Sequence, residues 1–248
     1  MDVRTCIIIP VYNHARALAI MLENLAPCGL DCILVDDGST DEFAAISNGL
    51  SNSYSNLSIH RMEKNLGKGS AISIGFELAY SKGYTHALTF DADGQHNHEQ
   101  IAEFLSHCRQ HPNSLILGAP VFDKSAPKIR VLGRELSNVL TWMETLSFRA
   151  RDVLCGFRIY PLHNSMPVIR KVRTKRMEFD TEIVVRLCWA GIDVINVPTA
   201  VKYPIDGISH FHYLNDNLKI IVFHLMLIPE MIFKLPYIIK NKFKRKTL

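Results

Sequence analysis

No CxxC pair occurs among the six cysteines (Cys6, Cys28, Cys32, Cys108, Cys155 and Cys188), which excludes a zinc ribbon and a thioredoxin-type redox motif. Several of them lie in apolar runs, as buried free thiols do, and a reducing cytoplasm is the expected compartment. Neither GxGxxG nor GxxxxGK(S/T) is present, which argues against Rossmann dinucleotide binding and P-loop chemistry. Up to Ala200 there is no repeat, low-complexity tract or evident linker. No basic stretch followed by a long apolar one opens the chain, so no secretory signal is expected. Acids are missing from one end: Lys234, Lys240, Lys242, Lys244, Arg245 and Lys246 have no Asp or Glu among or after them. The formal net charge is +4, so removing these six leaves −2 on the rest, and the basic character belongs to the C-terminal end. What remains is ordinary. The chain has 248 residues, 48% hydrophobic and 21% charged, which excludes whole-chain disorder, collagen and coiled coil and suits one or two domains.

Short apolar runs alternate with helical patterns, which predicts βαβ units and a mostly parallel sheet. Cys6-Ile7-Ile8-Ile9 ends at Pro10, and Cys32-Ile33-Leu34-Val35 ends at Asp36-Asp37-Gly38-Ser39. Ala87-Leu88-Thr89-Phe90 ends at Asp91-Ala92-Asp93-Gly94, and Leu115-Ile116-Leu117 ends at Gly118. Between them, residues 15–25, 69–80 and 101–108 carry apolar side chains at helical spacing. Ligands of open α/β sheets bind beyond the carboxyl ends of strands, so acidic clusters after two strands can converge on one crevice.

Asp91, Asp93 and Gln95 offer two carboxylates and an amide oxygen within five residues, a set that suits a hard divalent cation such as Mg²⁺ or Mn²⁺. Such a cation neutralises charge developing on a diphosphate leaving group. An EF-hand is excluded, because its sixth and twelfth positions would fall on His96 and Ala102. Asp36-Asp37-Gly38-Ser39-Thr40-Asp41 reads either as a tight turn with a helix cap or as a site where Asp36 or Asp37 accepts from a nucleotide base or ribose. Asn65-Leu66-Gly67-Lys68-Gly69 precedes a helix, where glycines allow close backbone approach and Lys68 adds positive charge for an anion.

Ile9-Pro10-Val11-Tyr12-Asn13, the Asp36-Asp37-Gly38-Ser39 loop, Asn65-Leu66-Gly67-Lys68-Gly69 and Asp91-Ala92-Asp93-Gly94-Gln95-His96 stand in the order of family 2 glycosyltransferases, and the chain resembles their dolichyl- and polyprenyl-phosphate sugar synthase branch. Three later blocks, Cys155-Gly156-Phe157-Arg158-Ile159-Tyr160-Pro161, Glu178-Phe179-Asp180-Thr181-Glu182 and Gly207-Ile208-Ser209-His210-Phe211, are similar to bacterial members from aryl-polyene or envelope-lipid gene clusters. The resemblance implies a GT-A fold, α/β with a mostly parallel central sheet, over residues 1–212, and a nucleotide-diphospho-sugar donor. It places Pro10, Tyr12, Asp37 and Lys68 near the nucleotide and gives metal and diphosphate to Asp91, Asp93 and Gln95. His14 departs from the Glu that many synthases carry after Asn13, and the long multi-span tail of some of them is absent.

Transfer onto a hydroxyl with inversion needs a general base, whereas a lipid phosphate is already ionised. Glu178 and Glu182 share a helical face, while Asp180 lies about 200° away from either. Asp180 is therefore the candidate base, with an N-cap as its structural alternative, and Glu182 the second catalytic candidate. Arg130 and Arg134, four apart on a helix, and Arg158 are candidates for an acceptor or donor phosphate, as is His210.

Residues 220–239 are apolar except for His224, Glu230 and Lys234, but Pro229 and Pro236 interrupt the run. Asn215, Asp216, Lys219, Glu230 and Lys234 form a narrow polar stripe at helical spacing. An in-plane amphipathic helix or helix pair over 213–248, bound to the inner face of the cytoplasmic membrane, fits this better than a span, and a helix packed on the body or an oligomer contact is the structural alternative. The reading is a peripheral, metal-dependent, inverting glycosyltransferase of envelope glycolipid or polysaccharide synthesis with a lipid-linked acceptor. The alternatives are a polyprenyl-phosphate sugar synthase and a non-catalytic nucleotide-sugar binding protein. Nucleic acid is not an expected partner, since the basic tail holds one aromatic, Phe243, and no groove-reading motif.

Overall fold

The computed structural model describes residues 2–92, 96–122, 128–200 and 213–245. Seven strands form one mixed sheet: β1 (Thr5–Val11), β2 (Asp31–Asp36), β3 (Leu57–Arg61), β4 (His86–Thr89), β5 (Leu115–Val121), β6 (Arg158–Pro161) and β7 (Val194–Ala200). Their spatial order is β3-β2-β1-β4-β6-β5-β7, with β6 antiparallel to both its neighbours and the other pairs parallel. Among the described residues eight α-helices connect or flank the strands: α1 (Ala15–Leu25), α2 (Asp41–Ser53), α3 (Lys68–Ser81), α4 (Ile101–Gln110), α5 (Lys128–Thr145), α6 (Leu162–Ile169), α7 (Phe179–Trp189) and α8 (Tyr213–Arg245).

The apolar run of β1 is unbroken because both sheet faces are covered. Cys6 and Ile8 point into one core with α3, α6 and α7, while Ile7, Ile9 and Val11 point into the other with α1 and α4. Ile8 pairs with Ile33 of β2 on one side and with Thr89 of β4 on the other. The chain thus winds one way to β2 and the other way to β4, and the switch opens a crevice beyond the end of β1. The two acidic loops flank that crevice.

The C-terminal helix corrects one expectation. α8 runs through Pro229 and Pro236 without a break. Each proline frees a carbonyl four residues earlier, at Leu225 and Ile232, and both of these residues are exposed. α8 packs by one side on α5 and α7: Ile220, Leu227 and Ile238 are buried, with Leu227 and Ile238 beside Val185 and Trp189. Two residues of the polar stripe are turned partly to the body. Glu230 makes a bidentate pair with Arg186 of α7, and Lys234 joins Glu230 and lies 5.2 Å from the Trp189 ring centroid.

Candidate active site

The nucleotide side of the crevice is organised by short-range bonds. Asn13, at φ 57°, donates its N–H to Ser39 Oγ and accepts at its side-chain oxygen from the N–H of Thr40, which clips the loop after β1 to the loop after β2. Asp36 is 1% exposed, accepts from the N–H of Ser39 and lies 3.6 Å from Arg61. Asp37 accepts from the N–H groups of Leu66 and Gly67 at 2.7 and 2.9 Å and is also buried. Burial pushes its carboxyl up despite those bonds. Both carboxylates are therefore turned inward, and Asp37 pins the 65–69 loop in place. Pro10 is buried within β1, and Tyr12 is 37% exposed just beyond it.

The centre of the site is Lys68. Its ammonium donates to Asp91 Oδ2 and to Asp180 Oδ2, each at 2.9 Å. Burial works against the charge on Lys68, but Asp180 and Asp91 outweigh it and raise the lysine above its usual range. Burial likewise works against the charge on Asp91, and Lys68 and His96 outweigh it, holding Asp91 below the ordinary carboxylate range. His96 Nε2 stands 3.6 Å from Asp91 Oδ2.

Two glycines permit this convergence by close approach. A Cβ on Gly69 would lie 2.5 Å from Phe179 Cβ, so the start of α3 rests directly on the start of α7 and brings Lys68 to Asp180. A Cβ on Gly156 would lie 2.3 Å from Asp91 Oδ2, so the 153–157 loop closes over that carboxylate only with glycine there. Asp91 Oδ1 is 2.8 Å from the Lys68 ammonium, off the line of its N–H bonds, so it is held as an ion pair and not by a hydrogen bond. A carboxylate with one oxygen outside any hydrogen bond fits a cation ligand. Asp93 and Gln95, the other expected ligands, lie outside the described residues, and among the described residues no group of three ligating side chains gathers.

Several expected residues have other partners. Asp180 is not an N-cap: it lies in the first turn of α7, and its carboxylate goes to Lys68. Glu182 is fully buried and accepts from the N–H groups of Arg173 and Thr174, from Thr174 Oγ1 and from Arg186, which makes it a brace for the 173–174 loop, out of reach of a substrate. Arg158 is also fully buried. It donates to the carbonyls of Val153, Cys155 and Asp180 and to the Tyr160 hydroxyl, so its donors are committed inside the protein and no acceptor phosphate reaches them. It acts as a positioning residue, joining the loop over Asp91 to the backbone of Asp180. Arg134 pairs with both oxygens of Asp152 at 2.8 Å. The side chain of Arg130, and His210, lie outside the described residues. Sequence reasoning missed His96, in the same loop, as a neighbour of Asp91. It also missed the Lys68–Asp180 bridge, because pairing between distant segments leaves no local pattern.

The sequence model of Glycosyl transferase family 2 matches residues 6–174, which is more than half of the chain and spans the crevice loops. The chain belongs to this family. The fold is GT-A and the protein is a glycosyltransferase. This family 2 transferase is 26% identical over 213 residues to UDP-N-acetylglucosamine–dolichyl-phosphate N-acetylglucosaminyltransferase of Methanococcus voltae, covering 79% of this chain and 85% of that one. It is 25% identical over 206 residues to undecaprenyl-phosphate mannosyltransferase of Micrococcus luteus, covering 79% and 82%. Among solved structures it is similar to glucosyl-3-phosphoglycerate synthase of Mycobacterium tuberculosis, determined with Mn²⁺, UDP-glucose and phosphoglyceric acid, at a TM-score of 0.64 and 15% identity, covering 91% and 79%. It is also similar to S. aureus TarS in complex with UDP-GlcNAc, at a TM-score of 0.60 and 16% identity, covering 91% of this chain and 66% of that longer one.

Proposed function

We propose that this transferase moves a sugar with inversion from a nucleotide-diphospho-sugar to a lipid-linked acceptor in envelope glycolipid or polysaccharide synthesis, working peripherally at the inner face of the cytoplasmic membrane. One observation carries the chemistry: Lys68 joins Asp91, on the donor side, to Asp180, at 2.8 and 2.9 Å. A positive charge buried there faces the place where a leaving diphosphate gains charge. Asp180 takes the proton of an attacking hydroxyl, and Arg158, bonded to its carbonyl, fixes its height above the sheet. Asp37, by holding the N–H groups of Leu66 and Gly67, keeps the turn before Lys68 closed. Asp91, Asp93 and Gln95 would hold Mg²⁺ or Mn²⁺, and the cation would add charge neutralisation at the diphosphate. The Mn²⁺ and UDP-sugar of the solved neighbours support that donor side, and the dolichyl- and undecaprenyl-phosphate enzymes among the relatives support a lipid-linked acceptor.

Those same relatives favour a second reading, in which the acceptor is the polyprenyl phosphate itself. Asp180→Asn separates the two. With a hydroxyl acceptor, turnover is expected to fall by roughly 10²–10⁴ while nucleotide binding by calorimetry is unchanged. A nearly normal rate on polyprenyl phosphate identifies the phosphate as the acceptor. A normal rate on a hydroxyl acceptor removes Asp180 from the base role.

A further inference from the structure

Along α8, the residues turned fully outward from Leu218 to Ile239 are apolar or proline, with Lys219 the one charged exception. Met226 is 69% and Phe233 86% exposed, while Glu230 and Lys234 lie on the flank, paired to each other and to Arg186. α5 repeats the pattern. Leu132, Leu136, Val139 and Met143 follow spacings of four, three and four, which is one straight stripe, and all are exposed, as is Leu146 just past the end of the helix. Phe148, just beyond, is 80% exposed, and Glu135 is the only outward acid on this stripe.

The two helices are locked side by side through their other faces. His224 of α8 meets Glu144 at 2.9 Å and Ser137 at 2.9 Å, all buried. Lys242 donates to the carbonyl of Leu146, which sets the basic end of α8 against the end of the α5 stripe. The helix pair is also tied to the site. Arg134 and Asn138 of α5 hold Asp152 and the N–H of Val153, at the root of the loop whose Gly156 covers Asp91.

Apolar stripes of this length on a soluble surface mark an interaction face. From the adjoining charge we infer that the outward faces of α5 and α8 together form a docking surface for an anionic lipid bilayer. Exposed Lys240 and the following Lys242, Lys244, Arg245 and Lys246 form an acid-free basic end, complementary to anionic headgroups. Exposed Tyr237 is a side chain that settles at the headgroup level, and exposed Phe148 and Phe233 are ones that enter the acyl boundary beneath it. A second copy of the chain offers this basic end little complement, since among the described residues Glu135 is the only exposed acid on the two stripes. Among the described residues no helix is long and apolar enough to cross a membrane, so the surface lies along the bilayer. The inference deepens the lipid-linked acceptor reading and rests on it, and it adds α5, which the sequence pattern of the C-terminal segment did not include.

The experiment is flotation of the full chain with phosphatidylcholine vesicles, with and without phosphatidylglycerol. Binding is expected to the anionic vesicles and to weaken with added salt. Met226→Gln with Phe233→Gln on α8, and separately Leu132→Gln with Met143→Gln on α5, are each expected to lower partitioning about tenfold or more. Ile20→Gln, which removes an equally exposed apolar side chain from α1, is expected to change nothing. Unchanged thermal midpoints and nucleotide binding show that the variants fold. An α5 pair without effect overturns the two-helix surface. A full chain that ignores anionic vesicles but forms a dimer broken by these substitutions overturns the lipid assignment in favour of a second copy. Vesicle binding is read without turnover, so a protein that floats but transfers nothing keeps the surface and loses the transferase reading, and the reverse result does the opposite.

Discussion

A lysine between two carboxylates is an economical way to keep three charges in a protein interior. Lys68 neutralises Asp91 and Asp180 at once, and each carboxylate in turn offsets the desolvation of the lysine. Removing the lysine takes the shared partner from both carboxylates at once. Lys68→Met is therefore expected to lower stability by about 3–5 kcal/mol, read from urea unfolding. Asp180→Asn together with Lys68→Met is expected to lose clearly less than the sum of the two single losses, because the second substitution removes a charge that the first had orphaned. Simple additivity would show that the bridge does not form in solution. The residue types of this cluster were legible from the sequence: Lys68, Asp91 and Asp180 were each singled out for the site. Their partners were not. Helical spacing tells which face a side chain occupies, and so it separated Asp180 from Glu182, but it does not say that Glu182 will be spent on the N–H groups of Arg173 and Thr174. Nor does it say that Arg158, a charged residue at the start of a strand, will be fully enclosed by carbonyls.

At the scale of elements, β1, β2, β4 and β5 were readable because central strands covered on both faces are continuous apolar runs. The strands that escaped carry weaker patterns. β3 is an edge strand of mostly half-buried residues, LSIHR, β6 is four residues long and begins with Arg158, and β7 contains Pro198. Packing of α8 on the body was one reading of its sequence, but the pattern could not select it, since a polar residue that pairs with the body looks in sequence like one that faces water. Its docking has a measurable signature. Arg186 and Lys234 hold Glu230 down at about 2, against an ordinary value of 4.5, with the Arg186 hydrogen bond the largest cause. A depressed carboxyl contributes stability above its unfolded value and loses it as pH falls through the folded one. Amide exchange in α8 is therefore expected to speed up between about pH 4.5 and 2, relative to α3. Glu230→Gln is expected to show faster exchange already at neutral pH and a flatter dependence across that window. Equal acid sensitivity in the variant would assign the effect to other groups.

For the whole molecule, the question is whether the two cores, one on each face of the sheet, melt together. The strands belong to both: Cys6 and Ile8 sit in one core while Ile7 and Ile9 sit in the other, so neither layer can lose its strands without exposing the alternate side chains. The free cysteines report on this. Cys6 lies in the core with α3, α6 and α7, and Cys32, Cys108 and Cys155 lie in the core with α1 and α4. Burial pushes the Cys6, Cys32 and Cys155 thiols up to about 12 and Cys108 to about 11, so the reactive thiolate is scarce as well as enclosed. Cys28 and Cys188 are only half-buried. Native protein is therefore expected to label quickly at no more than these two positions. As urea rises, Cys6 and Cys108 are expected to become reactive with one shared midpoint, read by mass spectrometry of labelled peptides, and that midpoint is expected to coincide with loss of helical circular dichroism. Separate midpoints for Cys6 and Cys108 would mean that the layers part before the sheet does, and that the alternation along β1 does not couple them.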